Sequence, residues 1–159
     1  LERYTFLHSM GFEHIFDDAQ LKKLDKNTVA IPPIEGIVLL KFIAWNNKPE
    51  WRTSDLEDIL NIINIYFEFE FDDIVENHND VFPDGELDQR LVAARVLGRK
   101  CKKWIELEQN LKLKIFEILE SNLNNSSSPL VRNWAQKMDT TIVYARALLK
   151  DFFIGIKEN

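Results

Sequence analysis

The sequence predicts an α+β protein that is predominantly α, on three observations. After Pro33, apolar residues recur three or four positions apart through most of the chain, the spacing of helices with one buried face. Before that point, one short β-branched run ends at a proline pair. The composition is 45% hydrophobic and 11% aromatic with only five Gly and five Pro in 159 residues, which suits a helix-rich globular chain long enough to bury a core.

Between Tyr4 and Ile31 the pattern is short and irregular, and Thr28-Val29-Ala30-Ile31 predicts a β-strand ended by Pro32-Pro33. Pro33 fits the first turn of the next helix, where its missing N–H removes no bond, and that helix is expected to reach Trp45. Asn46-Asn47-Lys48-Pro49-Glu50 then breaks the pattern. Ser54 and Glu57 have the spacing of a capping box ahead of Leu56, Ile59, Leu60, Ile63 and Tyr66, the clearest amphipathic run in the chain. Phe67-Glu68-Phe69-Glu70-Phe71 alternates like a strand, yet so short a stretch between helical patterns equally fits a helix or an extended connection.

Asp84-Gly85 marks a turn, and Glu86 to Leu107 reads as one or two helices with Gly98 as the weak point between them. Leu111, Ile115, Ile118 and Leu119 carry the pattern to Leu123, so a helical hairpin is expected. Asn124-Asn125-Ser126-Ser127-Ser128-Pro129 is the low-complexity stretch, too short to link domains. Beyond it, Val131, Trp134, Met138, Ile142, Ala145, Leu149, Phe152 and Ile156 predict one long terminal helix. No fixed period repeats, which argues against a solenoid.

The net charge of −6 disfavours general binding to nucleic acid or to anionic membrane, because phosphate-backbone binding needs a surplus of Lys and Arg. The single cysteine, Cys101, leaves no partner for an internal disulfide or a cysteine-based zinc site, and suits a reducing compartment, with the cytoplasm as the expectation. No apolar run approaches the roughly 18 residues of a membrane span, and no signal-peptide pattern opens the chain. Leu1 is not an initiator methionine, which fits a chain that begins partway through something larger. His8, His14 and His78 are dispersed without metal-ligand spacing, and the adjacent acids Asp17-Asp18 and Asp72-Asp73 point apart on a helix. There is no Gly-rich phosphate loop, no GxSxG elbow and no EF-hand loop. Arg95, Arg99, Lys100, Lys102 and Lys103 form the basic cluster, in which Arg95, Arg99 and Lys102 share a face that is either solvated or lines an anion-binding cleft.

Lys41 carries the most functional information. It lies in the largely apolar run Pro33–Trp45, on one helical stripe with Ile34, Ile37, Ala44 and Trp45, where an ammonium is costly to bury unless an anion meets it. Downstream, Asp55 and Asp58 fall in the first turns of the next helix, where the macrodipole favours carboxylates. Two readings stay open: a structural Lys–Asp pair, or a phosphate-binding lysine beside a catalytic carboxylate.

Ile31-Pro32-Pro33, then Leu40-Lys41-Phe42-Ile43-Ala44-Trp45, then Arg52-x-x-Asp55-x-x-Asp58-Ile59-Leu60 and Tyr66, resemble in order and spacing the second half of nucleotidyltransferase-fold proteins of the AbiEii/AbiGii toxin type. Ala93-Ala94-Arg95-Val96-Leu97-Gly98-Arg99 is similar to a segment that follows in that group, so the resemblance extends from Met10 to Leu119. It implies a short N-terminal β remnant of a nucleotidyltransferase fold followed by a helical bundle, with residues 1–82 as the C-terminal part of the core and 83–159 as a helical domain. It implies catalytic roles for Lys41, Asp55 and Asp58, and nucleotide contacts from Lys41 and Arg52. Ser54 stands where the family commonly has lysine, and the Gly-Ser turn with paired strand acids that holds magnesium in the family is absent from this sequence. Mg²⁺ and a nucleoside triphosphate are therefore expected only if those acids are supplied elsewhere, and the chain itself offers no metal ligand. The implied partners are a nucleotide and an antitoxin or other protein, in toxin–antitoxin or phage-defence function. The alternative class is a noncatalytic helical module that binds another protein through its long C-terminal helix.

Overall fold

In the computed structural model, which describes residues 12–158, a short helix α1 (Glu13–Asp17) leads into strands β1 (Gln20–Leu24) and β2 (Asn27–Ile31). The strands pair antiparallel, with Leu24 opposite Asn27, across the turn Asp25-Lys26. Asp25 adopts a positive φ of 53°, a conformation that Asp tolerates better than most residues. The expected strand at Thr28–Ile31 is β2. Its partner β1 escaped sequence reasoning for a physical reason: every residue of β1 is exposed, so burial imposes no alternation on Gln20-Leu21-Lys22-Lys23-Leu24.

Helix α2 (Ile34–Asn47) follows the proline pair, with Pro33 at the N-cap, one position before its expected place. Helix α3 (Thr53–Phe69) starts two residues earlier than a Ser54 cap would require: Arg52 is the N-cap residue, no side chain caps the end, and the Ser54–Glu57 capping box is not formed. The Phe67–Phe71 stretch is helical on both sides of Glu70, which ends α3 and precedes α4 (Phe71–Asn77). Helical spacing brings the buried Phe67 ring against Phe71, with centroids 5.9 Å apart, and Phe82 approaches the same ring at 6.5 Å. A 3-10 turn, Asn79–Val81, closes this region.

Helix α5 (Gln89–Leu107) is capped by Asp88, whose carboxylate accepts from the Arg90 and Leu91 amides, and it runs through Gly98 without a break. Instead of weakening the helix, Gly98 lies against the backbone of the last helix. Helix α6 (Gln109–Asn124) follows after Glu108, yet α5 packs most extensively on α8, so the dominant pairing is not the sequential hairpin that was expected.

The expected long terminal helix is two helices, α7 (Pro129–Lys137) and α8 (Ile142–Lys157). Asp139 breaks the run with a φ of 50°, the Thr140 amide turns back to the Ala135 carbonyl at 2.9 Å, and the Thr141 hydroxyl caps α8 by accepting from the Tyr144 amide. The apolar spacing continued across the break because both helices bury their faces in the same core. The serine-rich loop before α7 is held at several points. Ser128 accepts from the Val131 amide and donates to Asn122 at 2.7 Å, while Arg146 of α8 donates to the carbonyls of Asn122, Leu123 and Asn125.

Buried side chains from both sides of residue 82 share one apolar cluster. The Phe42 ring of α2 lies 5.3 Å from Phe152 of α8 and 6.5 Å from Trp134 of α7. Fully burying a side chain of this size contributes roughly 1.5–3 kcal/mol before entropy is counted. The polar tips are satisfied: Trp134 Nε1 donates to the Leu56 carbonyl at 3.0 Å, and Trp104 Nε1 donates to the His14 carbonyl and the Asp18 carboxylate. This packing fixes α2 beside α3, which is what places Lys41.

Candidate functional site

Val38, Leu39, Phe42 and Ile43 turn the fully buried side of α2 toward the core, leaving Lys41 on the half-buried flank with Ile34, Ile37 and Ala44. The neighbouring α3 buries Leu56 and Ile59, and this brings Asp55 and Asp58, three residues apart on its first turns, up to that flank. The Lys41 ammonium donates to Asp55 Oδ1 at 3.0 Å and to Asp58 Oδ2 at 2.7 Å. Arg52 completes the cluster from the N-cap position, its Nε donating to Asp55 Oδ2 at 2.5 Å. All four residues singled out in the sequence therefore meet in one place.

Their environments differ. The Asp55 side chain is only 5% exposed, Lys41 is 24% exposed, Arg52 34% and Asp58 51%. Asp55 is the hub, with one oxygen for each cation. Burial opposes its charge, but the hydrogen bonds from Arg52 and Lys41 outweigh that effect and hold its carboxyl below the usual carboxylate range. Burial likewise opposes the charge on Lys41, and its bonds to Asp58 and Asp55 outweigh it, raising the ammonium above its usual value. A carboxylate held that firmly in its ionised form suits a fixed charge that orients two cations rather than a proton carrier near neutral pH.

Lys41 has three N–H donors and spends two on the carboxylates; Arg52 spends Nε, and its two terminal nitrogens make no hydrogen bond among the described residues. Those remaining donors, on partly exposed side chains, are where an anion could be received. The same carboxylates do not fit a magnesium ion: Asp55 is saturated by cations on both oxygens, Asp58 is engaged by Lys41, and among the described residues no group of three or more His, Cys, Asp and Glu gathers as a metal cage.

The basic cluster of α5 has another outcome. Arg95 and Arg99 both bond the Glu158 carboxylate, Lys102 donates to the Glu158 carbonyl, and Arg99 grips Asp80 through two further bonds at 2.8 and 2.6 Å. Lys100 pairs with Glu70 and Asp73. The shared face is neither bare nor an open cleft, because acids distant in sequence neutralise it. One buried polar contact had no sequence signal at all: the Tyr66 hydroxyl donates to Glu35 at 2.5 Å, joining α3 to α2 across 31 positions. Burial, then the Glu35 charge and bond, push the Tyr66 phenol far above its usual range. A surface pocket lined by Glu86–Arg90 and Tyr144 lies away from Lys41, at the start of α5.

Compared with protein-family models, curated proteins and solved structures, the chain matches none of them. Among the described residues, no helix is long and apolar enough to cross a membrane.

Proposed function

We propose that this chain contributes the phosphate-binding side of a nucleotidyltransferase-like site, with Lys41 and Arg52 receiving the phosphates of a nucleoside triphosphate. The reading rests on the resemblance of the Leu40–Trp45 and Arg52–Leu60 segments, and one observation supports it: two partly exposed cations are held side by side by a nearly buried carboxylate, with N–H donors to spare. Lysine serves this task as a compact point charge and arginine as a planar fork. Asp55 and Asp58 would hold the two cations in place. Metal-binding acids would have to come from polypeptide outside the described residues, and the acceptor is left open, since the fold class accommodates many.

Calorimetric titration of the protein with nucleoside triphosphate and magnesium tests this. Weak binding is expected, lost in Lys41→Ala and reduced in Arg52→Ala, with both variants checked for native circular dichroism. Unchanged binding in a folded Lys41→Ala protein overturns the phosphate role.

A second reading, a noncatalytic helical interaction module, is favoured by the charge balance of the cluster, in which two cations face two carboxylates. A complete failure to bind nucleotide, together with a stability loss in Lys41→Ala, supports that class.

A further inference from the structure

Two exposed surfaces of the molecule are apolar and of opposite charge. The first is the hairpin β1–β2. All of its residues are exposed except the half-buried Ile31. The register sets Lys22 opposite Val29, and alternation places Leu24 on the same face, so one face carries Lys22, Leu24 and Val29. Leu24 is 58% exposed. Lys26 sits at the tip, and none of Lys22, Lys23 and Lys26 has an ion-pair partner among the described residues. A two-stranded hairpin exposed on both sides is marginal in water, so this one gains stability from whatever covers it.

The second surface is the bend from α3 to α4. Ile65 and Phe69 stand one turn apart on α3, and Phe71 and Val75 one turn apart on α4; Phe69 is 65% exposed and Phe71 50%. The buried Phe67, in ring contact with Phe71, ties the two pairs together. Glu68, Asp72 and Glu76 run beside these side chains at four-residue intervals, exposed and without an ion-pair partner among the described residues. Like charges four apart on a helix cost a few tenths of a kcal/mol per pair, and a cationic surface laid against them removes that repulsion.

We propose that the hairpin of one copy docks on the α3–α4 face of a second copy. Lys22 and Lys26 meet Glu68 and Asp72, while Leu24 and Val29 cover Phe69 and Phe71. An unreciprocated contact of this kind would propagate into a filament; exchange about a two-fold axis closes it as a dimer in which the contact is made twice. Aromatic anchors within a charged rim are the usual anatomy of such an interface.

The test is sedimentation and light scattering of the wild type and of two charge-reversed variants, Lys22→Glu/Lys26→Glu and Glu68→Lys/Asp72→Lys, each confirmed folded by circular dichroism. All four positions are exposed, so the core is untouched. The wild type is expected to be a dimer that weakens with added salt, and each variant alone a monomer. An equimolar mixture of the two variants should dimerise again, because both contacts in the mixed dimer are complementary. A monomeric wild type, a dimer indifferent to both reversals, or a mixture that stays monomeric overturns the proposal. A monomeric wild type that binds a lysine-rich amphipathic peptide through Glu68 and Asp72 also overturns it, in favour of a foreign basic partner.

Discussion

Gly98 of α5 and Gly155 of α8 stand where the two helices touch backbone to backbone. A Cβ on Gly98 would collide with the Phe152 carbonyl oxygen and crowd the Ile156 nitrogen at 3.1 Å, and one on Gly155 would collide with the Arg95 carbonyl oxygen. Neither obstacle is the movable end of a side chain.

Gly98→Ala is therefore expected to destabilise the protein by about 3 kcal/mol, through forced separation of α5 and α8. The gain of roughly 1 kcal/mol in helix propensity does not compensate. Urea unfolding measures it, and a variant as stable as the wild type would show that the helices separate freely.

Lys41→Met leaves the buried Asp55 with Arg52 as its one cation, at an expected cost of about 1–3 kcal/mol. Asp55→Asn should cost a similar amount. In the Lys41→Met/Asp55→Asn protein the loss should fall short of the sum, since the two share one interaction. Additive losses in denaturant titrations would mean that the pair is not coupled.

The same cluster fixes a pH dependence. The Asp55 pKa is lowered in the folded state, so its contribution is present above the ordinary carboxylate value of about 4 and disappears as pH falls through the lowered one. The Lys41 pKa is raised, so its contribution is complete below about 10.4 and disappears as pH rises through the raised value. The stability gap between wild type and Asp55→Asn should thus hold from about pH 5 to 9 and narrow on acidification. Asp18, Asp73, Asp80 and Glu158 are also lowered, so the variant keeps an acid transition of its own. A gap that widens toward low pH would contradict this assignment.

Ser128→Ala removes a helix cap and leaves the buried Asn122 side-chain oxygen Oδ1 without its donor. The expected loss is about 1–3 kcal/mol in the unfolding free energy. An exposed cap such as Thr141 is expected to lose less when changed to Ala, which makes it the control.

Sequence patterning reached those elements whose burial has a direction. The buried faces of α2, α3 and α5 were legible because the core selects residues at helical intervals, and the Lys41–Asp55–Asp58 cluster was legible because a cation in apolar surroundings requires an anion nearby. Strand β1 left no such trace, being exposed along its length. The break at Asp139 was masked because Met138 and Ile142 keep the apolar rhythm across it, while its signal lay in the cap residues Thr140-Thr141. Propensity marks Gly98 as a weak point because it describes an isolated helix, whereas this glycine answers to the backbone of Phe152, far along the chain on α8. The partners of Arg95 and Arg99, Glu158 and Asp80, lie too far along the chain for local spacing to reveal them.

By composition, Asn124–Pro129 is the stretch a protease would be expected to cut first. Arg146 clamps its Asn125 carbonyl from one side and Asn122 holds Ser128 from the other, so these bonds must open before the segment can lie extended in an enzyme's cleft. A string of serines that looks like a tether is, in this molecule, a fastening.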